Sequence, residues 1–151
     1  MDTQKVLNII DATPLVSVDL IIENRLKQIL LGKRVNRPAQ GYWFVPGGRI
    51  LKNETIKDAI KRISTREIGI DLADHNPALL GAGEHIYEDN FLNEPGINTH
   101  YVVLAFVIEV ESDIEVTPDE QHDEMKWWNK EDLLADATVH PNTREYFESW
   151  D

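Results

Sequence analysis

Apolar positions along the chain recur at two periods. Val6, Leu7, Ile9 and Ile10 stand among polar neighbours, which predicts a short helix over 2–12 with Asp2 or Thr3 as its cap and Pro14 ending it. Residues 14–23, containing LVSVDLII, are β-branched and apolar and predict a strand. Asp19 interrupts it, and reads either as an outward strand position or as a site residue. A turn at 23–27 and a second strand at 28–34 complete a hairpin. Trp43-Phe44-Val45 is a brief strand. Ile56, Ala59, Ile60 and Ile63 then follow helical spacing and predict a buried stripe, capped by Asn53 or Thr55 and stopped by Gly69. Strands follow at 79–91 and 99–111, the second being the most apolar run, with a polar loop over 88–98. A short strand at 125–128 and helices at 130–136 and 142–150 close the chain. This order predicts an α+β fold, an α/β/α sandwich with a mixed sheet. At 151 residues it is expected to be one domain.

Glu67 departs from this patterning. It lies four residues beyond Ile63 and so shares the apolar stripe. An ionised carboxylate there is costly unless paired, hydrogen-bonded or bound to a cation. One reading puts Glu67 at a frayed end, in solvent or beside an arginine. The other looks to Pro46-Gly47-Gly48, read as a turn using positive φ and close backbone approach. A carbonyl from that turn and a helix carboxylate would make a hard-oxygen pair of the kind Mg²⁺ uses.

Composition narrows the chemistry. The absence of cysteine excludes disulfides, zinc–thiolate sites and thiol nucleophiles. A net charge of −12 argues against binding a nucleic-acid backbone. No apolar run approaches membrane-span length and MDTQKVLNIID lacks a signal-peptide pattern, so the expectation is a soluble, cytoplasmic protein. Lys33, Arg34 and Arg37 cluster in this acidic chain. They read either as a solvated basic turn or as cations for phosphate oxygens, a role suited to the guanidinium fork. His85 and His100 near strand ends, and Gln121-His122 in the acidic stretch 117–128, complete the polar candidates.

Residues 48–70 resemble the Nudix box: Gly48, Glu54, Arg62, Glu67, Gly69 and Ile70 match in register. Ile63 stands where the first metal-binding Glu belongs, Arg66 where the first acid of the Glu-Glu pair belongs, and Ser64 replaces an aliphatic residue. With these departures the chain is similar to the GDP-mannose mannosyl hydrolases, a divergent Nudix branch. The likeness extends over TPLVS at 13–17, LLGKR at 30–34, NRPAQGYWFVPGGR at 36–49, THYVVL at 99–104 and PDEQHD at 118–123.

That resemblance implies one Mg²⁺ per subunit, with Mn²⁺ as a substitute, held by the Gly47 carbonyl, Glu67 and Gln121. It implies water attack at sugar C1 with inversion, releasing GDP and free sugar from GDP-mannose or GDP-glucose. His122 is then the general base, since an imidazole titrating near pH ~6.5 suits that task. Arg34 and Tyr101 stabilise the departing diphosphate, with Arg49 and Arg62 as further candidates, Arg62 alternatively only orienting Glu54 or Glu67 in an ordinary structural ion pair; Arg37 of the basic cluster is a further substrate contact. Asp19 and His85 contact the sugar and take part in catalysis. The resemblance also implies a homodimer. The alternative is an ordinary Nudix diphosphatase attacking phosphorus, and a third reading is a non-catalytic nucleotide-sugar sensor.

Overall fold

A computed structural model describes residues 2–111 and 122–148. The elements are α1 (Thr3–Ala12), β1 (Leu15–Glu23), β2 (Ile29–Arg34), β3 (Trp43–Phe44), β4 (Gly47–Arg49), α2 (Ile56–Ile68), β5 (Ala78–Tyr87), β6 (Thr99–Glu109), β7 (His122–Trp128), α3 (Lys130–Ala135) and α4 (Pro141–Arg144). Local chemistry sets the helix ends. The Asp2 carboxylate caps α1 by accepting from the Gln4 N–H at 2.8 Å, and the Thr55 hydroxyl caps α2 by accepting from the Asp58 N–H at 3.1 Å. Gly69 ends α2 in the left-handed region at φ +79°, where a side chain would strain the backbone.

Seven strands form one mixed sheet, ordered β3-β2-β1-β6-β5, with β4 added to β1 and β7 to β2. β1 and β6 run parallel, and the other pairings are antiparallel. Alternation along β1 divides the interior into two cores. Val18, Leu20 and Ile22 pack with Ala59, Ile60, Ile63 and Ile68 of α2. Ile21 points the other way and joins Ile29, Leu31, Trp43, Trp128, Leu133 and Phe147. Helices thus cover both faces, giving the α+β sandwich with its mixed sheet.

Several boundaries differ from expectation. Pro46-Gly47-Gly48 makes no positive-φ turn: Gly47 and Gly48 belong to β4, paired with Asp19 and Val18 of β1. Their need for glycine is steric. A Cβ on Gly47 would stand 2.5 Å from Asp19 Oδ1 and 2.7 Å from the Val18 carbonyl oxygen, and one on Gly48 would stand 3.3 Å from Ile63. Ile56 has the right helical azimuth but is 42% exposed, because burial along α2 begins one turn later, at Ala59. β7 begins at His122 rather than Met125, so part of the expected acidic loop is strand, and the backbone of His122 lies opposite Arg34. β5 ends at Tyr87, leaving Phe91 in the following loop, where the buried side chain of Asn90 ties the chain back on itself. The last helix stops at Arg144 and gives way to turns through residue 148.

Gly47→Ala is therefore expected to destabilise the fold by about 1–3 kcal/mol, since the new methyl meets backbone that cannot swing aside. Gly83→Ala in β5, where a Cβ meets nothing within 4 Å, is expected to stay within about 0.5 kcal/mol of the parent. Urea denaturation of both variants measures the contrast.

Candidate functional site

Side-chain alternation builds the floor of a cavity of about 640 Å³. Leu15, Ser17 and Asp19 of β1, Tyr101 and Val103 of β6, and His85 and Tyr87 of β5 all face it. Register aligns them: Leu15 sits opposite Tyr101, Ser17 opposite Val103, and His85 opposite Tyr101. Arg34, Phe44 and Arg49 bring in β2, β3 and β4, while Arg62 and Arg66 reach in from α2. The volume suits a small-molecule ligand.

The cations differ in what already engages them. Arg34 donates from Nε to the Pro38 carbonyl at 3.0 Å, and its guanidinium carbon lies 6.0 Å from the Phe44 ring centre. Arg37 donates to Asn93 Oδ1 at 3.1 Å and lies 3.6 Å from Asp89, so it ties its own loop to the loop after β5. Arg62 grips Glu54 with two donors at 2.7 and 3.0 Å and donates to the Arg49 carbonyl at 2.8 Å. It therefore performs the ordinary structural pairing. Arg34, Arg49 and Arg66 form no salt bridge among the described residues, and all three border the cavity.

Two carboxylates meet at Gly47. Glu67 is 1% exposed, and its Oε2 accepts from the Gly47 N–H at 3.0 Å. It is neither frayed nor solvated. Asp19 Oδ1 lies beside the same glycine, while its Oδ2 accepts from the Tyr146 hydroxyl at 2.6 Å. Burial pushes the Asp19 carboxyl up to about 6, although the Tyr146 hydrogen bond and the Arg34 charge pull it down. Burial also lowers the pKa of His85 and raises that of Tyr101, so both stay neutral at pH 7. His140, stacked on Phe44 at 4.8 Å behind the cavity wall, is driven down to about 4, chiefly by burial.

The cavity thus brings together Asp19, Arg34, Arg37, Gly47, Arg49, His85 and Tyr101, with the Glu67 carboxylate bonded to Gly47. Gln121 lies outside the described residues, as does the side chain of His122. Among the described residues no three His, Cys, Asp or Glu side chains converge as a metal cluster. Asp19 Oδ1 and Glu67 Oε2 each lie against Gly47, and carboxylate and backbone oxygens are the donor chemistry that suits Mg²⁺. His100 is not among the cavity residues. Sequence reasoning missed Tyr87, Arg66 and Tyr146. Tyr87 carries a weak signal, two residues beyond His85 on the same strand face; Arg66 stands at an acid position of the box; Tyr146 carries no local signal.

The NUDIX domain family model matches residues 13–150. A low-salt glycan biosynthesis protein, Agl8, of Haloferax volcanii is 37% identical over 144 residues, covering 95% of this chain and 86% of that protein. An ADP-ribose pyrophosphatase of Methanocaldococcus jannaschii is 35% identical over 64% of this chain and 52% of its own length. Among solved structures, a MutT NUDIX hydrolase of Burkholderia pseudomallei superposes with a TM-score of 0.74 at 26% identity, covering 92% of this chain and 99% of that one.

Asp19 generates a stability prediction with a defined sign. Its folded pKa of about 6 exceeds the ordinary 3.8, so the folded state holds a proton that the unfolded state has lost between those values. Below pH 3.8 there is no penalty; across the window stability falls as pH rises; above pH 6 the full cost remains. In metal-free buffer, Asp19→Asn is expected to be more stable than the parent by roughly 3 kcal/mol at pH 7.5, and the gap should close by pH 4. Thermal unfolding at the two pH values measures it.

Proposed function

Because the chain belongs to the Nudix family, we propose that this Nudix hydrolase is a Mg²⁺-dependent GDP-mannose hydrolase, also accepting GDP-glucose, that breaks the bond between sugar C1 and the diphosphate oxygen. The observation carrying this reading is Ile63. It is fully buried in the core and packs on Gly48 at the position where the box has its first acid, leaving Glu67 as the acid of that helix face. Fewer acids suit one metal ion and a reaction at carbon. The glycan-related name of the Haloferax volcanii relative supports a sugar-containing substrate.

In this reading Glu67, the Gly47 carbonyl and Gln121 hold the ion, with Asp19 as their neighbour. Bound there, Mg²⁺ would neutralise charge on the diphosphate and make GDP a better leaving group. The chain's own groups do the rest. Arg34, Arg37, Arg49 and Tyr101 surround the diphosphate, a local cationic lining that offsets the net charge of −12. Asp19 and a neutral His85 face the sugar. His122 takes a proton from water as its oxygen bonds to C1; the C1–O bond breaks on the opposite face, and its electron pair leaves with GDP. The expected site of action is the cytoplasm; no helix among the described residues is long and apolar enough to cross a membrane.

One observation favours phosphorus attack instead. Asp19 beside Gly47 adds a second carboxylate near Glu67, and the Methanocaldococcus jannaschii relative is named a pyrophosphatase. Hydrolysis in ¹⁸O-labelled water separates the two. Label in free mannose with unlabelled GDP is expected; GMP and mannose 1-phosphate would refute carbon attack. His122→Gln is expected to lower kcat by roughly 10²-fold or more with little change in GDP affinity, whereas a non-catalytic sensor would lose nothing.

We further propose a homodimer paired through β5. This strand is the sheet edge, and Leu79, Leu80 and Ile86 on it are 60%, 49% and 60% exposed. An antiparallel edge is self-complementary about a two-fold axis, so a second copy is its natural cover. Light scattering is expected to give twice the 17.3 kDa chain mass, and Leu80→Glu to give monomer. A monomeric parent would overturn the pairing.

A further inference from the structure

Asp19 is held by a residue 127 positions away: the Tyr146 hydroxyl donates to its Oδ2 at 2.6 Å. We propose that Tyr146 is a positioning residue for the reaction, using one carboxylate oxygen of Asp19 so that the other stays aimed at Gly47 and the cavity. This rests on the reading above that Asp19 faces the substrate.

The terminal torsion of an aspartate is broad, so burial alone does not set which oxygen points where. A short, charge-assisted hydrogen bond does. With Oδ2 engaged by Tyr146, Oδ1 falls beside Gly47, where even a methyl group would find no room. Tyr146 is not among the cavity-lining residues, so it acts on substrate through the cavity residues it touches, and its one hydrogen bond among them is to Asp19. Burial and the nearby Asp19 charge hold the phenol pKa far above its usual value, which keeps it a donor at neutral pH.

The donor is itself anchored before substrate arrives. The chain leading to it runs along β3: the Trp43 N–H donates to the Thr138 carbonyl at 2.8 Å, and the His140 N–H donates to the Trp43 carbonyl at 3.1 Å. The His140 imidazole then caps α4 by accepting from the Asn142 N–H at 3.1 Å. Phe147 is 1% exposed in the second core. The Tyr146 ring lies 6.0 Å from His85, a second cavity residue, and 6.4 Å from Phe147. The C-terminal segment therefore fixes the orientation of a group on β1, a form of preorganisation in which rotational freedom is lost on folding rather than at binding.

Tyr146→Phe keeps the ring and removes the O–H. Its control is Phe147→Leu, which disturbs the same packing without touching Asp19. With GDP-mannose and Mg²⁺, Y146F is expected to lower kcat at least ten-fold, with KM within about threefold of the parent and an almost unchanged unfolding midpoint. F147L is expected to lower the midpoint and leave kcat within about twofold. A Y146F kcat within twofold of the parent, or equal kcat losses in the two variants, would overturn the proposal and leave Tyr146 as packing alone. If Y146F fails to fold, Tyr146→Leu, which also lacks a donor, takes its place; kcat within twofold of the parent in that folded variant would also overturn the role, and a ten-fold loss would support it. The two readings fail separately. Product identity with the parent tests which bond breaks, whereas the Y146F comparison is run on whichever nucleoside diphosphate sugar the parent consumes.

Discussion

Close packing at Gly47 is the constraint on which the rest of the site depends. β4 is held between β1 and α2 so tightly that the space a Cβ would need is already taken by Asp19 and the Val18 carbonyl. From that position the Gly47 N–H satisfies the buried Glu67 carboxylate. One small residue thus lets two acids, from a strand and a helix, approach the same stretch of backbone. Unsatisfied, a carboxylate as buried as Glu67 would cost several kcal/mol (about 1–3 for a lost hydrogen bond, more for a charge). The same feature that stabilises the fold brings carboxylates from two elements against one glycine.

Charge is distributed with equal economy. The chain is strongly acidic overall, yet the cavity is rimmed by Arg34, Arg37, Arg49, Arg62 and Arg66. Arg62 and Arg37 hold Glu54 and the loop after β5 in place, while Arg34, Arg49 and Arg66 border the cavity with no salt bridge among the described residues. Within the cavity, burial lowers the pKa of His85 and raises those of Tyr101 and Asp19, pushing each toward its neutral form.

Ile63 links architecture to chemistry. On α2 it occupies the stripe that faces the sheet, is fully buried, and contacts Gly48. A carboxylate in that place would have to be drawn toward a cation; an isoleucine joins the core instead. The helix keeps its packing and its buried Glu67, with an apolar side chain at the position of the box's first acid. Arg66 continues the same shift, placing a cation at the cavity edge where the box has an acid.

The sequence by itself determined the elements and most of the candidate residues. Helical spacing identified α2 and placed Glu67 on its buried face, strand alternation identified β1, β2 and β6, and local cap chemistry marked Thr55 and Gly69. These features are local: a period of 2 or 3.6, a hydroxyl before a helix, a glycine after one. The tertiary structure alone decided that Gly47 and Gly48 extend a strand rather than turn, that Ile56 remains exposed at the start of its helix, and that Tyr146 reaches Asp19. It also decided which arginines are engaged and which line the cavity. Each of these depends on contacts between residues far apart in the chain, and on the exclusion of a Cβ by atoms that no local pattern brings near. Periodicity can state which way a side chain points; only packing states what it meets.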